Sequence, residues 1–309
     1  CIDLVADSMQ RIVFEPSEFD RELKVVRREL SDGEANRARV QWKLLGQTVY
    51  TTHPARHPVI GYLDVLNSTT NQTIIDFYRE RYVPNNQVFV VVGDVDTQQV
   101  LDDVAQQFAG TKRSPETLVA MPGEPEQVGP REAIHEMDGS TYDVAVAWPT
   151  VELSHPDLYA LDVAAYILSE GDSSRLVRRL KYDEQLALSI RSASYTPFFV
   201  RGWFGDFAVA PPDRWEKLSE QMLLEVYKLR DELVSEVELE KAKKQKAAEL
   251  VFGQQTVQQM ADGLGRSFVS TGDPLFDEQY VKGIQQVTVE QIRDVARKYF
   301  RPERLNRVV

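Results

Sequence analysis

The order of apolar and polar residues divides the chain into helices and a few strands. Ile2-Asp-Leu-Val-Ala-Asp7 has the spacing of an amphipathic helix already under way. Leu23, Val25, Val26 and Leu30 form the apolar stripe of a longer helix. Its N-cap candidate is Ser17, followed by acidic residues that suit the positive end of a helix dipole. Thr70 caps a further helix that stops near Pro84. Gln87-Val-Phe-Val-Val-Val-Gly-Asp94 then reads as a buried strand turning at Gly93-Asp94, and Thr97–Phe108 as another helix. Beyond the Pro/Gly/Glu-rich stretch Pro122–Pro130, the pattern predicts strands at Thr141–Trp148, Leu186–Tyr195 and Trp203–Val209. Helices are predicted at Pro156–Leu168, from Ser173 to Lys181, and from Glu236 to Leu250.

The two ends of this pattern repeat each other at a single ungapped offset of 218 residues. Ser17, Glu18 and Glu22 align with Ser235, Glu236 and Glu240; Gln41 aligns with Gln259 and Tyr62 with Tyr280. Thr70, Ile74, Asp76, Arg79, Tyr82 and Pro84 align with Thr288, Ile292, Asp294, Arg297, Phe300 and Pro302, and Val90-Val91 with Val308-Val309. Each copy therefore reads helix, long helical region, helix, strand. The second copy begins near Ile134, so about 85 of its residues, to roughly Leu218, have no counterpart in the first. The expectation is a chain truncated at both ends. Residues 1–121 are the C-terminal part of a first domain, 122–131 a linker, and 132–309 a second, similar domain. The fold class is α+β: duplicated domains, each a mixed or antiparallel sheet with helices on one face.

Composition narrows the class. With 42% apolar residues among 309 the chain can build real cores, and no apolar run approaches the roughly 18 residues that span a bilayer. The net charge is −12, spread evenly, with 13 basic against 19 acidic residues up to position 130 and 23 against 29 beyond. No basic stripe exists, so neither nucleic acid nor an anionic membrane surface is an expected partner. The single cysteine, Cys1, excludes intrachain disulfides and CxxC metal sites.

Among residues able to carry chemistry, Glu22 and Glu29 are seven apart, two turns of one helix, and share a face. On an arbitrary helix such carboxylates are a solvated face beside Arg21, Arg27 and Arg28. The repeat shifts that balance: Glu22 is retained as Glu240, whereas Glu29 becomes Ala247. A carboxylate dropped from one copy of a kept scaffold fits a site present in one copy only. The histidines offer no alternative cluster. Pro54 and Pro58 keep His53 and His57 off a common helix face, and His135 and His155 stand alone. Gly93-Asp94 lacks the GxGxxG or Walker context of a nucleotide site, and the Asn67-Ser-Thr and Asn71-Gln-Thr sequons read as the polar loop before the Thr70 helix.

Several segments carry a resemblance together. Phe19-Asp-Arg-Glu-Leu-Lys-Val-Val-Arg-Arg-Glu-Leu30 resembles the glutamate helix of the pitrilysin (insulinase) family of zinc metallopeptidases, particularly its mitochondrial-processing-peptidase-like branch. The similarity continues through His53-Pro-Ala-Arg-His-Pro-Val-Ile-Gly-Tyr62, Asp76-Phe-Tyr-Arg-Glu-Arg-Tyr-Val-Pro84 and Gly171-Asp-Ser-Ser-Arg-Leu176. The resemblance implies a fold like LuxS and the processing peptidases, and a zinc-dependent endopeptidase acting on unfolded peptides in the full-length form. It makes Glu29 the third zinc ligand and Glu22 its supporting acidic residue, with two His ligands and the general base in an HxxEH helix roughly 75 residues upstream. Adding the offset puts the second-copy equivalent of HxxEH near Gly171–Ser173, in a segment without histidine. The second domain is therefore expected to be structural, and the 309 residues alone to hold no zinc and cleave nothing. Lys181 and Leu188 stand at the family's substrate-binding Arg and Tyr positions. That substitution leaves two readings. Either a partner half of the same fold, in a homo- or heterodimer, supplies the missing pair, or the protein is a non-catalytic subunit or scaffold.

Overall fold

The computed structural model describes residues 2–115 and 120–309. Five strands, β1 (Arg131–Ala133), β2 (Tyr142–Pro149), β3 (Ser189–Tyr195), β4 (Trp203–Ala210) and β5 (Asn306–Val308), form one mixed sheet in the order β1-β5-β2-β4-β3. β2 and β4 pair antiparallel from Tyr142 opposite Ala210 to Pro149 opposite Trp203. β3 pairs antiparallel with β4, and β5 runs antiparallel to β2 and parallel to β1.

Both faces of the sheet's centre are covered, which is why Val144-Ala-Val-Ala-Trp148 is apolar without alternation. Val146, Trp148, Phe204, Ala208 and Ala210 face a helical layer of α7 (Leu158–Ser169), α8 (Trp215–Asp231), α9 (Glu236–Phe252), α11 (Phe276–Gln286) and α12 (Val289–Tyr299). Leu161, Leu168, Leu218, Met222, Leu229 and Phe300 of that layer are fully buried. Each large apolar side chain so buried contributes roughly 1.5–3 kcal/mol. Where β3 turns into β4, Gly202 lies so close to the Tyr195 carbonyl that a Cβ there has no room.

The opposite face takes one helix of the first copy. Helices α1 (Ile2–Gln10), α2 (Pro16–Glu34), α3 (Arg37–Val49), α4 (Leu63–Ser68), α5 (Asn71–Arg81) and α6 (Thr97–Phe108) precede the linker, and α10 (Val257–Thr271) lies in the second copy. α3 buries Leu45, Val49 and Tyr50 against Ala145, Ala147, Trp203, Phe207 and Val308. Arg131 donates to the carbonyls of Thr48 and Val49, both at 2.9 Å, and the Tyr50 hydroxyl to Arg201 O at 2.8 Å. The second copy's core helices thus lie on one face of its sheet, as the sequence pattern places them, and the other face is covered by α3 of the first copy.

The repeat is visible element by element. α5 and α12 begin and end 218 residues apart, as do the 3-10 turns Pro84–Asn86 and Pro302–Arg304. Thr70 and Thr288 both close capping boxes, as does Ser235 with Glu238. Three local expectations differ. The α2 N-cap is Glu15 with Pro16 at the first helical position, because proline presets the helical φ one residue before Ser17. The helix expected from Ser173 is wound over Val177–Asp183 as a π-helix. The segment 87–92 forms no ladder, although its repeat equivalent β5 lies inside the sheet between β1 and β2. A strand needs a neighbour, and no described segment lies hydrogen-bonded beside this one.

Candidate metal and peptide site

Glu22 and Glu29 both lie on α2 and are exposed, while Leu30 turns inward. Arg21 donates to Glu22 at 3.2 Å and also pairs with Glu18 at 2.5 Å. Glu29 has no hydrogen-bond or ion-pair partner among the described residues, whereas Arg21 pairs with Glu18 and Glu22 and Arg28 with Asp32. Its availability as a ligand is therefore not contested by a neighbouring cation. The donor set is incomplete, however. Among the described residues no three His, Cys, Asp or Glu side chains gather where one metal ion could be held. These residues do not by themselves fit a zinc ion, and no chemical step is derived through one.

The histidines are engaged elsewhere. His53 is buried, its Nδ1 accepts the Ala55 N–H at 3.0 Å, and burial pushes its pKa down. His57 Nδ1 shares a hydrogen bond of 3.0 Å with the Tyr62 hydroxyl, and His155 Nδ1 accepts the Asp157 N–H at 3.0 Å. The backbone N–H of His135 donates to Val309 O at 2.9 Å. Around His53 lies a feature the sequence did not reveal: the linker carboxylate of Glu124 accepts the N–H groups of Thr51, Thr52 and His53 at 2.8–2.9 Å. The Thr51 hydroxyl adds a fourth bond at 2.7 Å. Desolvation works against that charge, but these bonds prevail and hold the Glu124 pKa below its usual value. No side-chain pattern marks such a partner, because it is backbone.

Around Ser173 and α9 of the second copy, charged side chains are held by partners. Lys241 donates to Ser173 Oγ at 2.7 Å. Arg175 forks onto Glu238 at 2.6 and 3.0 Å, and that hydrogen bonding is the largest cause of a Glu238 pKa of about 2. Ala247 stands where the first copy has Glu29.

Lys181 lies within the π-helix and Leu188 just before β3. Leu180 O accepts from both Leu186 N at 2.8 Å and Ala187 N at 3.0 Å, which closes the turn between them. Leu188 is 55% exposed, and Lys181 Nζ lies 5.2 Å from the centre of the Tyr182 ring. The Tyr182 hydroxyl is tied to Asp172 at 2.9 Å. The structure does not bring this pair together with Glu22 and Glu29 in a single described site. A separate cleft of about 460 Å³ lies between the copies, lined by Arg37, Gln41, His135, Asp143 and Trp215 among others. Arg37 there pairs with Asp143 at 3.0 Å and donates to Thr141 Oγ1 at 2.7 Å.

The two copies thus share helices and 3-10 turns at one offset, with Glu22 and Glu29 on α2 of the first and paired charges on α9 of the second. The chain belongs to the Peptidase M16 inactive domain family, whose model matches residues 68–246. It is 26% identical over 317 residues to the zinc protease PqqE of Helicobacter pylori, covering 97% of this chain and 68% of that protein. It is 26% identical to a probable mitochondrial-processing peptidase subunit beta of Arabidopsis thaliana, covering 96% of this chain and 58% of that one. A crystal structure of a protease from Helicobacter pylori matches with a TM-score of 0.91 at 25% identity, over 99% of this chain and 74% of the other. The resemblance to zinc peptidases of the processing-peptidase branch and the α+β class both stand.

Proposed function

We propose that this chain is part of a zinc-dependent endopeptidase that hydrolyses unfolded peptides, and that it works with another half of the same fold. In this reading Glu29 is the third zinc ligand, Glu22 the acidic residue that supports it, and Lys181 and Leu188 lie where the peptide passes. The observation that carries it is the exposed Glu29 carboxylate, without a partner among the described residues, two turns from Glu22 and replaced by Ala247 in the other copy. Relatives named as zinc proteases support the same chemistry. With both histidines supplied by the natural full-length chain, Glu29→Gln should remove most bound zinc by elemental analysis. It should also lower chelator-sensitive cleavage of an unstructured peptide by at least ~100-fold, and Glu22→Ala by about 10–100-fold. Full zinc occupancy in Glu29→Gln would overturn the ligand role.

A second reading rests on Lys181 and Leu188 standing in place of the Arg and Tyr. A lysine offers one mobile point charge where an arginine offers a planar fork, and leucine offers no hydroxyl. The protein is then a non-catalytic subunit that presents peptide without cutting it. Zinc-free peptide binding by the full-length chain, with no cleavage on adding zinc, would select this alternative.

A further inference from the structure

The turn that carries Lys181 and Leu188 is held by an unusual amount of fixed geometry. It opens within seven residues of π-helix that include Lys181, a winding that is rare and frequent at functional positions. Within it Gln185 takes φ of 52°, a left-handed conformation that costs a non-glycine residue on the order of 1 kcal/mol or more, so the surroundings must enforce it. One side chain reaches most of those surroundings. Arg179 Nε donates to Glu184 inside the turn at 2.7 Å, and its two terminal nitrogens donate to Gln221 at 2.5 Å and to Glu225, both on α8. Glu225 is only 4% exposed, and Lys228 on the same helix donates to it at 2.6 Å. Arg214, just before α8, donates to the Gln185 carbonyl at 2.7 Å. The end of the turn is pinned to the sheet by Leu188 N donating to Val209 O at 2.8 Å.

We propose that Arg179 is a positioning residue, which sets the distance and aspect of the Lys181 and Leu188 side chains by clamping their turn to α8. This rests on the reading above that those two residues contact peptide. The guanidinium suits the task because its planar fork binds three acceptors in fixed directions, whereas a lysine at 179 could hold one or two without fixing the turn's angle. The occupant of the surface is an extended, uncharged segment of unfolded polypeptide, whose backbone carbonyls can accept from the Lys181 ammonium and whose apolar side chains can cover the exposed Leu188.

The test measures binding of a fluorescein-labelled, unstructured neutral peptide to the 309-residue chain by anisotropy, with the melting temperature recorded for every variant. Lys181→Ala/Leu188→Ala should weaken binding, and Arg179→Lys should weaken it roughly tenfold at little cost in melting temperature. Adding Arg179→Lys to Lys181→Ala/Leu188→Ala should cost nothing further, because Arg179 acts through those two side chains. A merely structural role cannot produce that non-additivity. Wild-type protein that binds no peptide, or binding untouched by Lys181→Ala/Leu188→Ala, overturns the contact reading and this inference with it. Sensitivity to Lys181→Ala/Leu188→Ala with no effect of Arg179→Lys, or with losses that multiply, overturns the positioning role alone. If Arg179→Lys does not fold, Glu184→Gln gives the same comparison, because it loosens the arm in the turn and leaves the α8 contacts in place.

Discussion

Asp206 lies in the middle of β4 with no exposed surface, facing the helical layer. One carboxylate oxygen accepts the Ser192 hydroxyl at 2.5 Å across the β3–β4 pair, and the other has no partner. Burial pushes its pKa up to about 7, and the serine hydrogen bond only partly opposes that shift. The folded state therefore holds a proton that the unfolded state releases near pH 4. Stability from this group is complete below the unfolded value and is lost as pH rises through about 7. Asp206→Asn removes the titration. Relative to wild type, it should gain on the order of 2–4 kcal/mol in urea unfolding on going from pH 4 to pH 8. If the two proteins keep a constant difference across that range, Asp206 does not titrate as described. The same seam holds the half-buried Asp162, whose carboxyl accepts the Tyr280 hydroxyl and is pushed up by desolvation.

At the scale of elements, the segment 87–92 stands apart. Val88 and Val91 are exposed, Phe89 packs on Phe108 with ring centres 6.5 Å apart, and Val90 reaches Gly265 of α10. A Val-rich segment without a ladder partner is a template for pairing with another chain. The 309-residue chain should therefore associate with rising concentration in light scattering, and Val91→Lys should shift it toward monomer. A Val91→Lys chain that associates like wild type would locate the contact elsewhere. The same segment shows where sequence reading reached its limit. Caps at Thr70, Ser235 and Thr288 were legible because they are decided within four residues, and β2 and β4 because their apolar runs are dense. The ladder at 87–92 was not legible, because pairing depends on a distant neighbour. Nor was the π-helix, which is set by Leu180 O accepting from Leu186 and Ala187 and by Arg179 reaching α8. Of the candidate residues, the placing of Glu22 and Glu29 on one helix was readable from their spacing, but the Glu124 clamp and the Arg179 fork left no local pattern.

Over the whole molecule, burial is uneven. Among the described residues before the linker, the buried apolar side chains are Ala6, Leu30, Leu45, Val49 and Tyr50, and the last three belong to α3 or its C-cap. α3 is thus held by the second copy's sheet, whereas α1, α5 and α6 rest mainly on partly buried contacts. Hydrogen exchange should separate them: residues 40–50 should exchange as slowly as β2 and β4, and α1 and α5 far sooner. Exchange of α3 at the rate of α1 would mean that the sheet contact contributes little.

The shared register of the two copies also has a consequence for what a carboxylate at the second copy's aligned position would meet. Positions 23, 25, 26 and 28 of the first copy, Leu, Val, Val and Arg, are Lys241, Lys243, Lys244 and Lys246 in the second, with no change of length between them. Lys241 now holds Ser173, Lys243 holds Glu240, and Lys246 holds Glu249. A glutamate restored at position 247 would meet Lys243 one helical turn away and pair with it before it could serve a metal.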